Sequence, residues 1–328
     1  MKTELKKPLS LSKTLLILSL ISLLLGVMSC LLGETMVAIL IGPLSALYLF
    51  DTRSRRGVSI TVSLLLLAMN FISIFMGLAV SFFAPAAIIL SIMLSYAFAR
   101  GHSKSDVAYL MTVITSLLVL AGYLLFAMIE RDIFTLEAAF EFYTLFIDNL
   151  REVFVGTMTD IYSASGVEIT ADLVGEVFDQ QINMTISYFL ILGFAITGIG
   201  MKLFSLIVRR LSSDSYAMRE WRFGTTRAYA YFYVALVIAS IFTLDGRGIF
   251  AITVLNLYNF FMVVFAYVGF MTMREMLSVK MKPLIATLII IALLLVFASF
   301  GVQILDALGV LYSLRSHSDP RHNTKTKQ

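Results

Sequence analysis

The sequence predicts an all-α fold: a polytopic transmembrane helical bundle of about nine spans, N-terminus cytoplasmic, with a helical acidic extracytoplasmic loop. Three observations carry this. The chain is 59% hydrophobic and only 14% charged, against roughly 25% charged in soluble proteins, and no soluble fold of this size hides so much apolar surface. Seventeen of its 25 Lys and Arg residues fall in five short stretches that alternate with apolar runs. Eleven of its 21 acids fall in a single long loop. Cytoplasmic loops of membrane proteins concentrate Lys and Arg, which puts the basic stretches inside and the acidic loop outside.

A span needs about 20 apolar residues, with about 17–25 as the working range. The basic N-terminus, 1–13, carries Lys2, Lys6, Lys7 and Lys13. The first apolar run, 14–32, exceeds the roughly 7–15 residues of a signal-peptide core, so it is expected to stay as a span. On it Ser19, Ser22, Gly26 and Cys30 follow steps of three and four, one narrow face of small residues of the kind that lets helices approach in lipid. Docking within the chain's own bundle is the favoured use; docking to a partner membrane protein is the alternative. Cys30 is the only cysteine, which rules out an intrachain disulfide.

Runs at 36–50, 58–75, 78–99 and 107–129 complete a five-span block, 14–129. They are separated by Arg53, Arg55 and Arg56, then by Arg100 and Lys104. Asn70, inside the third, is one of few polar residues at membrane depth, where such groups are costly and often functional.

The acidic loop, 130–184, is no disordered tail. Phe142, Phe146, Leu150 and Phe154 recur every four residues, one apolar face of a helix. Ser163–Gly166 breaks that helix, and 171–181 restarts as a second. A cap lying on the bundle with solvated acids is the favoured reading, and a lid or cation-attracting surface the sharper one. Asn183-Met184-Thr185 is a formal glycosylation sequon that abuts a span.

The sixth span, 185–208, carries Lys202 about two turns from Arg209, within snorkelling reach of the interface. The basic loop 209–227 follows, with Arg209, Arg210, Arg219, Arg222 and Arg227. Three spans near 228–244, 249–272 and 283–305 occupy 228–313, separated on the inside by Arg274, Lys280 and Lys282. Asn256 and Asn259 sit one turn apart with Tyr258 beside them; they either line a polar cavity or act as interhelical hydrogen-bond glue. Before the last span the outer side holds only Arg131, Arg151 and Arg247. Nine spans place the tail, 314–328, outside despite Arg315, Arg321, Lys325 and Lys327. The stretch 283–313 is long for one span and marginal for two. Gly301, Gln303 and Asp306 mark where a break would return the chain to the cytoplasm; nine spans are favoured over ten. Asp306 itself reads as an interfacial turn residue before it reads as a lone proton relay.

Catalytic readings find no support. His102, His317 and His322 all fall outside the apolar runs, and no GxxxxGK[ST] phosphate loop exists, so an ATP-driven process would need another subunit. No metal or cofactor is expected. The sequence pI near 9.1 is explained by positive loops against anionic lipid rather than by nucleic acid.

The loop before the seventh span reads Arg219-Glu220-Trp221-Arg222-Phe223-Gly224 and runs into Tyr229, Tyr231, Phe232 and Tyr233. This resembles the E-W-R-L-P signature of the YybS-like family, bacterial membrane proteins of unassigned function, and the segment around Asn256 is similar to that family's L-N-L-L stretch. Gly224 stands where the signature has proline, and the closing G-L-L-D…R pattern survives only loosely around Gly309 and Arg315. Trp221 and Arg222 are the specific part, and an aromatic-plus-basic interface anchor would also explain them. Such proteins look distantly similar to the substrate-binding membrane subunits of energy-coupling-factor transporters, which have six spans, as does 14–208 here. The resemblance implies a bacterial cytoplasmic membrane location, a small-molecule pocket near the outer face and a separate ATPase partner. Ser19, Ser22 and Gly26 take the place of that group's alanine-spaced coupling face.

A transporter-like subunit that binds a small molecule, without catalysis of its own, is therefore the leading expectation. Asn70, Asn256, Tyr258 and Asn259 are its candidate ligand residues; Ser19, Ser22, Gly26, Trp221 and Arg222 are its candidate partner or coupling residues. The alternative is a non-transporting scaffold that organises an envelope or cell-surface assembly.

Overall fold

The computed structural model describes residues 10–32, 36–76, 83–130, 135–166, 168–211, 225–243 and 248–315. Among them every regular element is helical: α1 (Leu11–Leu32), α2 (Val37–Ser54), α3 (Val58–Phe75), α4 (Phe83–Ala99), α5 (Lys104–Glu130), α6 (Leu136–Ala164), α7 (Ala171–Asn183), α8 (Thr185–Leu211), α9 (Arg227–Phe242), α10 (Ile249–Ser278) and α11 (Pro283–Arg315). Five of these, α1, α3, α5, α8 and α10, contain stretches long and apolar enough to cross a membrane. Shorter apolar helices occupy Val37–Thr52, Ala84–Ala99, Arg227–Phe242 and Pro283–Phe297. Each expected span overlaps one of these helices among the described residues, the last, 283–305, running across a reversal described below.

The chain divides into two compact units. One comprises Met1–Phe178 and Leu192–Arg222, and the other Asp179–Ile191 and Phe223–Gln328. The first holds α1–α6 and most of α8, and is organised around α2. Leu40, Ile41, Leu44 and Leu47 of α2 are fully buried, so this helix is apolar all round because protein surrounds it. Glycines set its approach to α8. A Cβ on Gly42 would stand 2.6 Å from Leu203 Cβ, and one on Gly200 would stand 2.8 Å from Ile41 Cγ2. Further along α8, a Cβ on Gly193 would lie 2.7 Å from Thr112 O of α5, and Thr115 and Thr197 share a 3.2 Å hydrogen bond between the same helices. Small residues permit such backbone proximity, the main source of helix association where lipid removes the hydrophobic drive.

The turn joining α2 and α3 is fixed by Asp51, which is buried. Its Oδ2 accepts from Ser59 N at 2.8 Å and Ser59 Oγ at 2.7 Å, and its Oδ1 from Ser54 Oγ at 3.1 Å. These bonds satisfy donors at the α3 N-terminus that no helical carbonyl reaches. The reversal uses left-handed backbone at Arg55 (φ 54°) and Gly57 (φ 69°), the second being the conformation glycine adopts without penalty.

In the second unit α11 is folded back on itself. A Cβ on Gly301 would stand 3.5 Å from Leu294 Cα and 3.6 Å from Phe297 Cβ, although seven residues of straight helix advance about 10.5 Å. The register against α10 agrees. A straight antiparallel pair joined through 279–282 would set Leu305 opposite a residue near position 256. Leu305 O instead presses on Gly269, and Phe265 O presses on Gly309, a symmetric contact of two helices running in parallel. The outgoing arm therefore starts beside the end of α10, and the arm from Gly301 returns alongside it.

Candidate functional site

The acidic loop forms a helical hairpin. Thr135 Oγ1 caps α6 by accepting from Ala138 N at 3.4 Å, and Thr170 Oγ1 accepts from Leu173 N at 3.4 Å at the start of α7. Between them Gly166 takes φ 73°, at the break the sequence marks. Within the first unit the two helices meet through Phe154 and Phe178, whose ring centroids lie 5.4 Å apart, and through Arg151, whose guanidinium lies over the bare Cα of Gly175. Beside this contact lies a widely open groove of about 310 Å³, lined by Leu150, Val153, Phe154, Thr157 and Met158 of α6 and by Phe178 of α7.

The acids of the expected cap are solvated, and part of its apolar face is exposed as well. Tyr143, Phe146, Leu150 and Val153 of α6 are exposed, and so are the acids Asp148, Glu152, Glu176 and Asp179. The four-residue spacing does form one helix, and Phe154 of that face meets Phe178 of α7. The groove offers apolar surface with the Thr157 hydroxyl as its one polar side chain. It can hold an apolar molecule by burial, worth roughly 25 cal/mol per Å².

The four candidate ligand residues divide between the two units, Asn70 in the first and Asn256, Tyr258 and Asn259 in the second. Asn70, buried on α3, accepts from Ala84 N at 3.3 Å through Oδ1, so it serves the N-terminus of α4. Asn256, on α10, accepts from Ser187 N at 2.7 Å and donates to Asn183 O at 2.6 Å and to Ile252 O at 2.8 Å. Every hydrogen-bonding group of that amide but one lone pair is occupied in bridging α10 to the α7–α8 junction. Of the two readings open in sequence, glue fits this geometry. Asn259 Nδ2 meets Met184 Sδ at 3.2 Å on the same junction. Tyr258 points elsewhere and stacks on Tyr233 of α9, centroids 6.0 Å apart and planes 12° apart.

Of the partner candidates, Ser22 and Gly26 are buried and Ser19 is half-buried. A Cβ on Gly26 would collide with Leu66 Cδ2 of α3, so part of this small face serves the chain's own packing. Trp221 and Arg222, and with them the family signature, lie outside the described residues.

Two polar sites were not singled out in sequence or were read differently. Asp51 has the ordinary appearance of a loop acid, and only its distance of eight residues from a serine at a helix start hints at the cap. Burial by itself would raise its carboxyl, but the Ser59 N–H and hydroxyl, the Ser54 hydroxyl and the Arg56 backbone outweigh that and hold it below the usual value. Asp306 does not sit in an interfacial turn. The reversal lies before it, and the returning arm carries it to Tyr233, whose Oη donates to Oδ2 at 2.7 Å.

Comparison with protein-family models, curated proteins and solved structures returns no match for this chain.

Proposed function

We propose that this chain is a multi-pass protein of a bacterial cytoplasmic membrane that binds a small, largely apolar molecule on its outer side, as the membrane subunit of a transport system. The observation that carries this is the α6–α7 groove, whose volume of about 310 Å³ falls at the lower end of small-molecule sites, roughly 300–1,000 Å³. Its apolar lining suits the hydrocarbon part of such a molecule, and the acids of the 130–184 loop suit a cationic end. The resemblance to YybS-like proteins, and through them to energy-coupling-factor subunits, adds to this reading. The five-plus-one arrangement of apolar helices in the first unit is in keeping with it.

The charge distribution orients the chain with α6 and α7 outside and the Arg53–Arg56 turn inside. The fold-back of α11 supports a cytoplasmic tail. Its arms, 283–297 and 301–315, are each about 22 Å long at about 1.5 Å per residue, shorter than a hydrocarbon core of about 30 Å. On this topology α11 is a re-entrant hairpin, and the basic residues from Arg315 onward join the other cytoplasmic cations.

The test is purification in mild detergent, mass spectrometry of copurified molecules, and thermal shifts with alkyl amines in wild type and in Val153→Asp. Binding by wild type and loss in the variant support the reading; no copurified molecule and no shift in either would sink it. A second reading, a scaffold for an outer assembly, is favoured by the exposed aromatic residues of α6, Phe140, Tyr143 and Phe146. Crosslinking in native membranes separates them: a protein captured through α6 supports the scaffold, an ATPase captured through 209–227 supports transport.

A further inference from the structure

We propose that Asp306, held by Tyr233 at the return arm of the α11 hairpin, is a proton-binding site within the membrane-embedded part of the second unit. The carboxyl is unevenly served. Oδ2 receives the Tyr233 hydroxyl, whereas Oδ1 is shut off from solvent and has no hydrogen-bond partner. Around the pair the rings stack: Tyr233 lies 4.9 Å from Phe265 and 6.0 Å from Tyr258, centroid to centroid. Tyr233 is almost wholly buried.

The ionisable groups facing Asp306 are Tyr233 from α9 and, one ring further, Tyr258 from α10. The other titratable residues of these helices are Arg227, Tyr229 and Tyr231 on α9, Tyr267, Arg274 and Glu275 on α10, and Tyr312 and Arg315 on α11. None of them has a hydrogen bond or ion pair to Asp306 among those the structure shows. A carboxylate so placed has one hydroxyl donor and no counter-charge, and burying a charge on such terms is costly. Acids at membrane depth are expected to be paired or to work.

Occupancy by a proton meets the geometry. It removes the charge, and it fits a site whose free oxygen is closed to anything larger. A metal ion needs several oxygen ligands, and among the described residues no group of three His, Cys, Asp or Glu side chains comes together. The arm is also held by contacts that can be remade. Thr225 and Ser313 hydrogen-bond each other, and Gly269 meets Gly309 with no side chain between the backbones. Displacement of this arm is the route by which Oδ1 reaches water and the proton exchanges.

The proposal does not depend on the α6–α7 groove, and its test needs no ligand. Full-length protein in detergent is treated with dicyclohexylcarbodiimide, an apolar reagent that adds to protonated carboxylic acids in apolar surroundings, and adducts are mapped by peptide mass spectrometry across pH 4–9. The expected result is an adduct on Asp306 at pH 7, where the exposed acids of α6 stay unmodified. Asp306→Asn loses that adduct, whereas Tyr233→Phe keeps it and carries it to higher pH, because the hydroxyl that shares the charge is gone. The Tyr233→Phe shift separates a held proton from mere reagent access. Should Asp306→Asn fail to fold, wild type and Tyr233→Phe decide the matter. An unmodified Asp306 at pH 7 in folded protein, or labelling that follows the exposed acids, overturns the proposal.

Discussion

The turn between α2 and α3 and the return arm of α11 each shelter one carboxyl group, and they serve it differently. Asp51 has both oxygens bonded, to Ser54 on one side and Ser59 on the other. Asp306 has one oxygen bonded and one left over. A fully paired carboxylate is committed to its fold, because charge-assisted bonds at a helix start contribute only while the charge is present. A half-paired one keeps a free site at the cost of some stability. Asn256, bonded to Asn183, Ser187 and Ile252, falls on the side of Asp51. Polar residues at membrane depth are therefore not one class in this chain. The number of satisfied bonds sorts them into fasteners and workers.

The largest effect that would break this contrast comes from the glycines that seat the return arm. Gly309→Val puts a branched side chain against Phe265 O, where a flexible neighbour cannot yield. The expected outcome is destabilisation of about 3 kcal/mol or more, at or beyond the upper end of overpacking costs. It is read as loss of the monodisperse peak in detergent, or as a melting midpoint far below wild type. A Gly309→Val protein of unchanged stability would mean the arm does not lie against α10.

Asn256→Leu is next. It strands the Ser187 N–H and the Asn183 carbonyl, each costing about 1–3 kcal/mol when buried unpaired; interhelical bonds in membranes average about 0.6 kcal/mol, so about 1–3 kcal/mol in all is expected from thermal melts. Asp306→Asn is expected to match or exceed wild type at pH 7, since the amide oxygen still accepts from Tyr233 and the folded chain no longer has to take up a proton that the unfolded one lacks. Equal large losses in both variants would erase the distinction between fastener and worker.

Much of this arrangement was legible in sequence, for particular reasons. Apolar runs leave a signal that needs no partner, so helices form at the expected spans, five of them long and apolar enough to cross a membrane, while the last, 283–305, is interrupted by the α11 reversal. The Phe142-to-Phe154 spacing and the Gly166 break gave α6 and α7, because helix period and glycine backbone are local properties. What failed to show is set by register. Nothing near Asn256 announces that its amide will meet Asn183 and Ser187, some 70 residues earlier. Nothing in Gly42 and Gly200, or in Gly269 and Gly309, says which glycine will face which backbone. The α11 reversal was half visible: Gly301, Gln303 and Asp306 marked the right neighbourhood, but the turn carries no proline, and Asp306 proved to lie beyond it.

The smallest effect concerns Asp51, and it sharpens the contrast through pH. Its carboxyl is held below the usual value by the Ser59 and Ser54 donors and the Arg56 backbone, which outweigh the opposing effect of burial. The sign follows from linkage: the folded chain binds this proton less readily than the unfolded one. Its contribution is therefore complete above the unfolded value, near 3.9, and is lost as pH falls through the lower folded value. Ser59→Ala removes the hydroxyl donor but keeps the backbone one, so about 1 kcal/mol at pH 7 is the expected loss. That difference should shrink as melts are repeated towards pH 3, and Asp51→Asn should flatten the acid limb in the same way. Asp306→Asn should act with the opposite sign: a proton bound by the folded chain and shed by the unfolded one makes wild type gain stability as pH falls towards about 3.9, and the variant loses that gain, so its acid limb steepens. If Asp306→Asn and Asp51→Asn flatten the limb equally, both carboxyls are charged fasteners, and the uneven bonding of Asp306 has no consequence for proton binding.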